Sequence, residues 1–259
     1  MSDFALLATA GLLVGAIVGL TGVGGGSIMT PLLITAFGVP APVAVGTDLA
    51  CAAVTKTAGT AAHRAARNVV TRVVVLLALG SVPAAIATLT MIAAANLAPH
   101  ELNRLVRTSV GIALLVSIAM LLLREPLRQW GSRRESLTRI RLYRPALTVL
   151  VGAAIGFAVT LTSLGAGAIG AACIALLYPE LEPAEIAGSD IAHAVPLTAV
   201  AAAGHAWLGT IDWILLLALL AGGIPGIVLG SLASRRVPVR ALRLVLVATL
   251  TLAGVRLLT

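Results

Sequence analysis

The sequence predicts an all-α polytopic membrane protein made of two homologous repeats, each of about five hydrophobic segments, set in inverted topology. Three observations carry that prediction. First, 59% of the 259 residues are hydrophobic and only 11% are charged, with a mean hydropathy of +1.06. A soluble domain averages roughly 25% charged residues, so water is not the main solvent of this chain. Second, one pattern occurs twice at a single offset. Gly46-Thr47-Asp48-Leu49-Ala50 returns as Gly188-Ser189-Asp190-Ile191-Ala192, Ala62-His63 as Gly204-His205, and Gly80-Ser81-Val82-Pro83 as Gly222-Gly223-Ile224-Pro225. Upstream, Thr21-Gly22-Val23-Gly24-Gly25-Gly26 matches Thr162-Ser163-Leu164-Gly165-Ala166-Gly167, shifted by one residue. Third, the basic residues change sides between matching loops. Two apolar copies, each interrupted by glycines, are the usual design of a secondary transporter, and the unit is too long for the short-repeat solenoids.

Ten hydrophobic segments follow in order, roughly 4–21, 27–37, 43–62, 73–95 and 102–123, then 145–162, 167–178, 184–206, 212–233 and 238–258. Most have the length of about 18–22 residues that spans a bilayer core. The first follows Met1-Ser2-Asp3-Phe4, which lacks the basic start of a signal peptide, so it reads as an uncleaved membrane helix. The second and seventh are too short to cross unaided. Each follows a glycine-rich break and stops at a turn, Gly38-Val39-Pro40 or Tyr178-Pro179-Glu180, so short crossings, half-helices and re-entrant segments all fit.

Residues 124–144 form the aqueous stretch, with Arg124, Arg128, Arg133, Arg134, Arg139, Arg141 and Arg144 against Glu125 and Glu135. They divide the chain into a first transmembrane repeat, 1–123, and a second, 145–259. The positive-inside rule puts this linker in the cytoplasm. After the third segment Arg64, Arg67 and Arg72 make a basic loop, whereas the matching stretch from Ala206 to Trp213 has no basic residue. After the fourth segment the bias reverses: the loop near Pro99-His100-Glu101 is nearly neutral until Arg104, but Arg235, Arg236 and Arg240 crowd its counterpart. Matching loops on opposite sides require an odd number of crossings per repeat, hence five plus five with both termini outside. Four crossings per repeat would put Arg235-Arg236 outside, against the bias.

The net charge of +8 is therefore topological rather than a nucleic-acid footprint, since aromatic residues are only 3% of the chain and offer no stacking platform. Cys51 and Cys173 lie inside apolar runs without metal-ligand spacing or a disulfide framework. No cofactor or nucleotide motif is present; the glycine string lacks the Gly-Lys-Ser/Thr of a phosphate loop. Ser27 after a glycine cluster, with histidines elsewhere, is too generic to mark an intramembrane enzyme.

Two groups of residues can carry transport chemistry. Gly24, Gly25, Gly26 and Ser27 break continuous helix and leave amides at a helix start, which suits an anion; Gly165 and Gly167 give the second half a weaker copy. By contrast Gly15-x-x-x-Gly19 and Gly152-x-x-x-Gly156 read as helix-packing pairs. Asp48 and Asp190 are repeat-related acids in apolar segments, where a carboxylate is costly and lines a cavity, pairs or titrates. Lys56, the only lysine, lies eight residues after Asp48, about 80° around an ideal helix. It either joins the acids or snorkels toward Arg64. Asp190 and His193 are one turn apart, placed to relay a proton or to satisfy each other. Thr47 and Ser189 add hydroxyls beside the acids. His63 and His205, at the ends of matching segments, read as interfacial caps.

At these motifs the chain resembles the TauE/SafE sulfite exporter family of membrane permeases, over essentially its whole length. The resemblance rests on Gly22-Val23-Gly24-Gly25-Gly26-Ser27 with Pro31, Val45-Gly46-Thr47, the exit from His63 to Val69, and Gly209-Thr210-Ile211-Asp212-Trp213. It implies transport of sulfite, sulfonates or related sulfur-containing anions across the cytoplasmic membrane of a bacterium or archaeon. The family usually has Gly-Thr-Ser where this chain has Gly46-Thr47-Asp48. An acid facing an anion path repels it unless protonated or paired, so Asp48 and Asp190, with Lys56 and His193, read as proton-coupling groups. The other readings are uptake of another small organic anion and a non-transporting membrane scaffold, for which two intramembrane acids would be an unexplained cost.

Overall fold

The computed structural model describes residues 2–21, 26–133, 138–165, 167–233, 251 and 253–257. Among the described residues the chain is helical, without strands. The helices are α1 (Ser2–Thr21), α2 (Gly26–Thr35), α3 (Ala41–Ala65), α4 (Thr71–Ala95), α5 (Pro99–Arg133), α6 (Thr138–Thr162), α7 (Ala168–Leu177), α8 (Pro183–Trp207) and α9 (Trp213–Ala233). Five of them hold stretches long and apolar enough to cross a membrane, in α4, α5, α6, α8 and α9. The tenth expected segment lies mostly outside the described residues, and so do Arg235, Arg236 and Arg240.

The two short segments are short helices. At ten residues each, α2 and α7 reach about 15 Å, half a hydrocarbon core. The basic stretch departs from expectation. Arg124, Arg128 and Arg133 lie in α5, which continues to Arg133, and Arg139, Arg141 and Arg144 lie in α6, which begins at Thr138; Arg134 is outside the described residues. Leucine, arginine and glutamate are all good helix formers, so loss of hydropathy ends the apolar face without ending the helix.

Matching helices start and stop alike. Pro40 and Pro42 open α3, whose Ala41 N–H is satisfied by Asn103 Oδ1 on α5 at 2.7 Å; Pro183 opens α8 behind a Glu182–Glu185 capping box. Each then ends in a left-handed residue, Arg67 at φ 59° and Gly209 at φ 71°. The chain reverses there through Asn68 N–H to His63 O and Thr210 N–H to His205 O, both at 2.9 Å.

Helix pairs meet over small residues. In the α1–α9 contact, a Cβ on Gly222 would strike Ala8 O and one on Gly15 would strike Gly223. In the α4–α6 contact, a Cβ on Gly80 would strike Val149 O, and one on Gly156 would lie 2.7 Å from Ser81 Cα. Gly15, Gly152 and Gly156 thus pack backbone against backbone, as read from their spacing. Gly80→Leu should therefore cost more than ordinary overpacking, about 1–3 kcal/mol, because the obstacle is backbone. A thermal unfolding scan of the detergent-purified variant should show a clearly lowered midpoint, or too little folded protein to measure.

The α3–α8 pair lies at the centre, in contact with each other and with α4 and α9. Along α3, Val45, Gly46, Thr47, Asp48 and Leu49 are all buried, as are Gly188, Ser189, Asp190, Ala192 and His193 on α8. Leu79, Met91, Leu150 and Leu217 are instead exposed, the apolar exterior expected toward lipid. Trp207 and Trp213 flank the α8–α9 connection and are exposed, as interfacial tryptophans are.

Candidate functional site

Matched residues cross between the halves in reciprocal fashion. Val70 N–H donates to Ser189 Oγ at 2.9 Å, and Asp212 N–H donates to Thr47 Oγ1 at 3.1 Å. Gly188 lies against Asn68 and Gly46 against Thr210, each so close that a Cβ would strike the opposing carbonyl oxygen. The same sequence motif therefore grips the loop that leaves the opposite central helix. Thr47 and Ser189 are fully buried, and their oxygens are engaged in this seam.

One residue further along, the two acids face inward. Asp48, 3% exposed, accepts Thr30 Oγ1 from α2 at 2.7 Å and Ser163 Oγ from the break before α7 at 2.8 Å, both on Oδ2. Asp190, 4% exposed, has Gly170 of α7 pressed against it, where a Cβ would strike Oδ1. Each acid thus touches a short broken helix. Lys56, partly buried on α3, interacts electrostatically with both Asp190 and Asp48, and also with His193.

His193 is fully buried, with Nε2 2.8 Å from Ser81 Oγ on α4 and no hydrogen-bond partner at Nδ1 among the described residues. His205 is not an interfacial cap. It is 3% exposed and bridges elements, with Nδ1 2.8 Å from Thr210 Oγ1 and Nε2–H donating to Thr160 O at 2.9 Å. Its position one turn inside the exit of α8, under the reversed loop, buries it. The second glycine break uses its glycines for conformation: Gly165 has φ 118° and Gly167 φ 135°, the latter preceding the first turn of α7. Gly26 opens α2, whereas Gly24 and Gly25, and the side chain of Ser27, lie outside the described residues.

Thr30, Ser81 and Ser163 are the neighbours that sequence reasoning missed. Ser81 and Ser163 each stand inside a motif that marks the repeat, which was the available signal; Thr30 had none beyond its place before Pro31. Among the described residues no group of three His, Cys, Asp or Glu could hold a metal ion.

This arrangement brings two buried acids and a partly buried lysine together where two short helices meet the central pair, as in carriers that load a charged solute in mid-membrane. Comparison with known proteins agrees. The family model described as "Sulfite exporter TauE/SafE" matches residues 7–257. The chain is 35% identical over 249 residues to the "Probable membrane transporter protein YjnA" of Bacillus subtilis (strain 168), covering 96% of this chain and 97% of that one. No solved structure matches significantly. The chain belongs to the TauE/SafE sulfite exporter family and is a multi-pass membrane transporter.

Proposed function

We propose that the protein is a secondary transporter that moves sulfite, a sulfonate or a related small sulfur-containing anion across the cytoplasmic membrane, coupled to protons. The observation that carries this reading is the meeting of Asp48, Asp190 and Lys56 where each acid touches a broken helix. A helix start and an ammonium both attract an oxyanion, while two carboxylates repel it. Anion binding is then favoured when a carboxyl takes up a proton, and the two loads travel together.

In the proposed mechanism Gly24, Gly25, Gly26 and Ser27 supply backbone and hydroxyl donors to the anion, and Gly165 and Gly167 are their second-half counterparts. Thr47 and Ser189, whose oxygens accept loop amides, each keep one hydroxyl hydrogen for the anion. Asp48, Asp190, Lys56 and His193 serve proton coupling. The repeats 1–123 and 145–259 run in opposite directions about the cytoplasmic linker 124–144; the reciprocal Thr47–Asp212 and Ser189–Val70 bonds support an axis between α3 and α8. The presence of Asp48 in place of the family's usual serine favours, as a second reading, a small organic anion as cargo.

Counterflow of labelled sulfite, sulfate, small sulfonates and small carboxylates in proteoliposomes tests the cargo. Exchange of sulfite or a sulfonate is expected; exchange of carboxylates alone would replace the sulfur anion with the second reading. For orientation, a reporter active only outside the cytoplasm should give signal when fused near Leu208 and stay silent near Asn68 or Val237. Equal signals from Asn68 and Leu208 would exclude inversion.

A further inference from the structure

Asp48 and Asp190 occupy matching positions but have unlike surroundings. Asp48 Oδ2 takes two hydroxyl hydrogens, one from each half of the chain: Thr30 on α2 and Ser163 at the break before α7. By the register of the repeat, Ser163 corresponds to Gly22 and Thr30 to Ala171, so neither matching position carries a hydroxyl. Thr30 is fully buried and Ser163 is 7% exposed, so water does not replace these bonds cheaply.

Ser163 also sits at φ 59°, a left-handed conformation that a non-glycine residue adopts only when its surroundings hold it there. Its amide is bound to Val159 O at 2.7 Å, and the next amide, Leu164 N–H, donates to Thr162 Oγ1 at 3.1 Å. The chain then enters Gly165 and Gly167. The strained residue is thus the last fixed point before the second glycine break, and Asp48 is what its side chain grips.

We propose that Thr30 and Ser163 are positioning residues for transport. Acting through Asp48, they lock the α2 segment of one half to the glycine break of the other, so that the anion site is complete only while both hydroxyls are bound. This rests on the reading that the breaks bind the anion.

Thr30→Val removes a hydroxyl at nearly constant volume, and Thr30→Ser keeps it. Ser163→Gly removes the hydroxyl while relieving the left-handed strain, so a loss of function cannot be blamed on the backbone. In proteoliposomes, Thr30→Val and Ser163→Gly should each raise KM for labelled sulfite by about tenfold, as loss of a hydrogen bond to a charged group does. Thr30→Ser should restore it, together with the thermal midpoint that Thr30→Val lowers by deleting a buried bond to a carboxylate. Unchanged KM in both variants, or a fall in Vmax and midpoint with KM unchanged, would overturn the latch.

A second measurement needs no cargo. In Thr30→Val, the backbone amides of residues 163–170 should exchange hydrogen at least about tenfold faster, although the substitution lies in the other half. Unchanged exchange there refutes the latch whatever the substrate. Faster exchange without sulfite counterflow in the unsubstituted protein supports the latch and places the failure on the proposed cargo.

Discussion

Proteoliposomes carrying Asp190→Asn should exchange labelled sulfite across the membrane yet fail to accumulate it when a pH gradient is imposed. Asparagine imitates the protonated carboxyl, so the loaded carrier can still form and reorient in both directions, which is all that exchange requires. Net accumulation needs the empty carrier to give up its proton before returning, and asparagine has none to give. With one proton per singly charged anion, a gradient of about two pH units supports about a hundredfold concentration ratio, since each unit corresponds to about 1.36 kcal/mol. The variant should settle near a ratio of one.

Lys56 from α3 and Cys173 from α7 interact electrostatically with Asp190, and His193 lies one turn along α8. Asp48→Asn should lose the same gradient response and bind sulfite more weakly as well, because Thr30 and Ser163 would then grip a neutral acceptor. Full gradient-driven accumulation by both variants would make the acids structural and require a different coupling ion.

The contrast between these acids and their hydroxyl partners shows which features could be read from residues alone. Segment positions were legible because a bilayer fixes the length of an apolar run: 27–37 and 167–178 were expected, and α2 (Gly26–Thr35) and α7 (Ala168–Leu177) are found. Helix beyond the membrane was not, since hydropathy reports solvent rather than backbone, and α5 runs on to Arg133. Asp48 and Asp190 were legible because a carboxylate in an apolar segment is expensive wherever it points.

Thr30 and Ser163 were not legible, for a specific reason. A hydroxyl on a membrane helix can satisfy itself on the preceding turn, as Thr35 does on Pro31 O, Thr57 on Ala53 O and Thr88 on Ala84 O. Nothing in composition separates those from the few that reach across to another helix. His193 fails in the same way: its sequence neighbour is Asp190, but the hydroxyl beside Nε2 is Ser81, from a helix packed against α8.

Removing the charge of Lys56 should have the largest effect. Its ammonium interacts electrostatically with two carboxylates and a buried histidine, so Lys56→Met leaves the acids without their cation. Breaking a buried charge cluster by deleting one partner costs about 3–5 kcal/mol, a large part of a domain's stability, and the single variant should be recovered poorly. Lys56→Met combined with Asp190→Asn removes one charge of each sign, and should regain much of the lost thermal midpoint. The double variant then isolates what the cation does for the anion. Sulfite at about 100 times its Kd should stabilise the unsubstituted protein by about 2.7 kcal/mol, whereas the folded double variant should gain nothing measurable. Lys56→Arg keeps the charge but spreads it over a planar fork, so it should retain weak binding and lose turnover. A snorkelling lysine would behave otherwise: Lys56→Met alone would then fold, bind sulfite and transport it, and the glycine breaks would have to hold the anion without a cation.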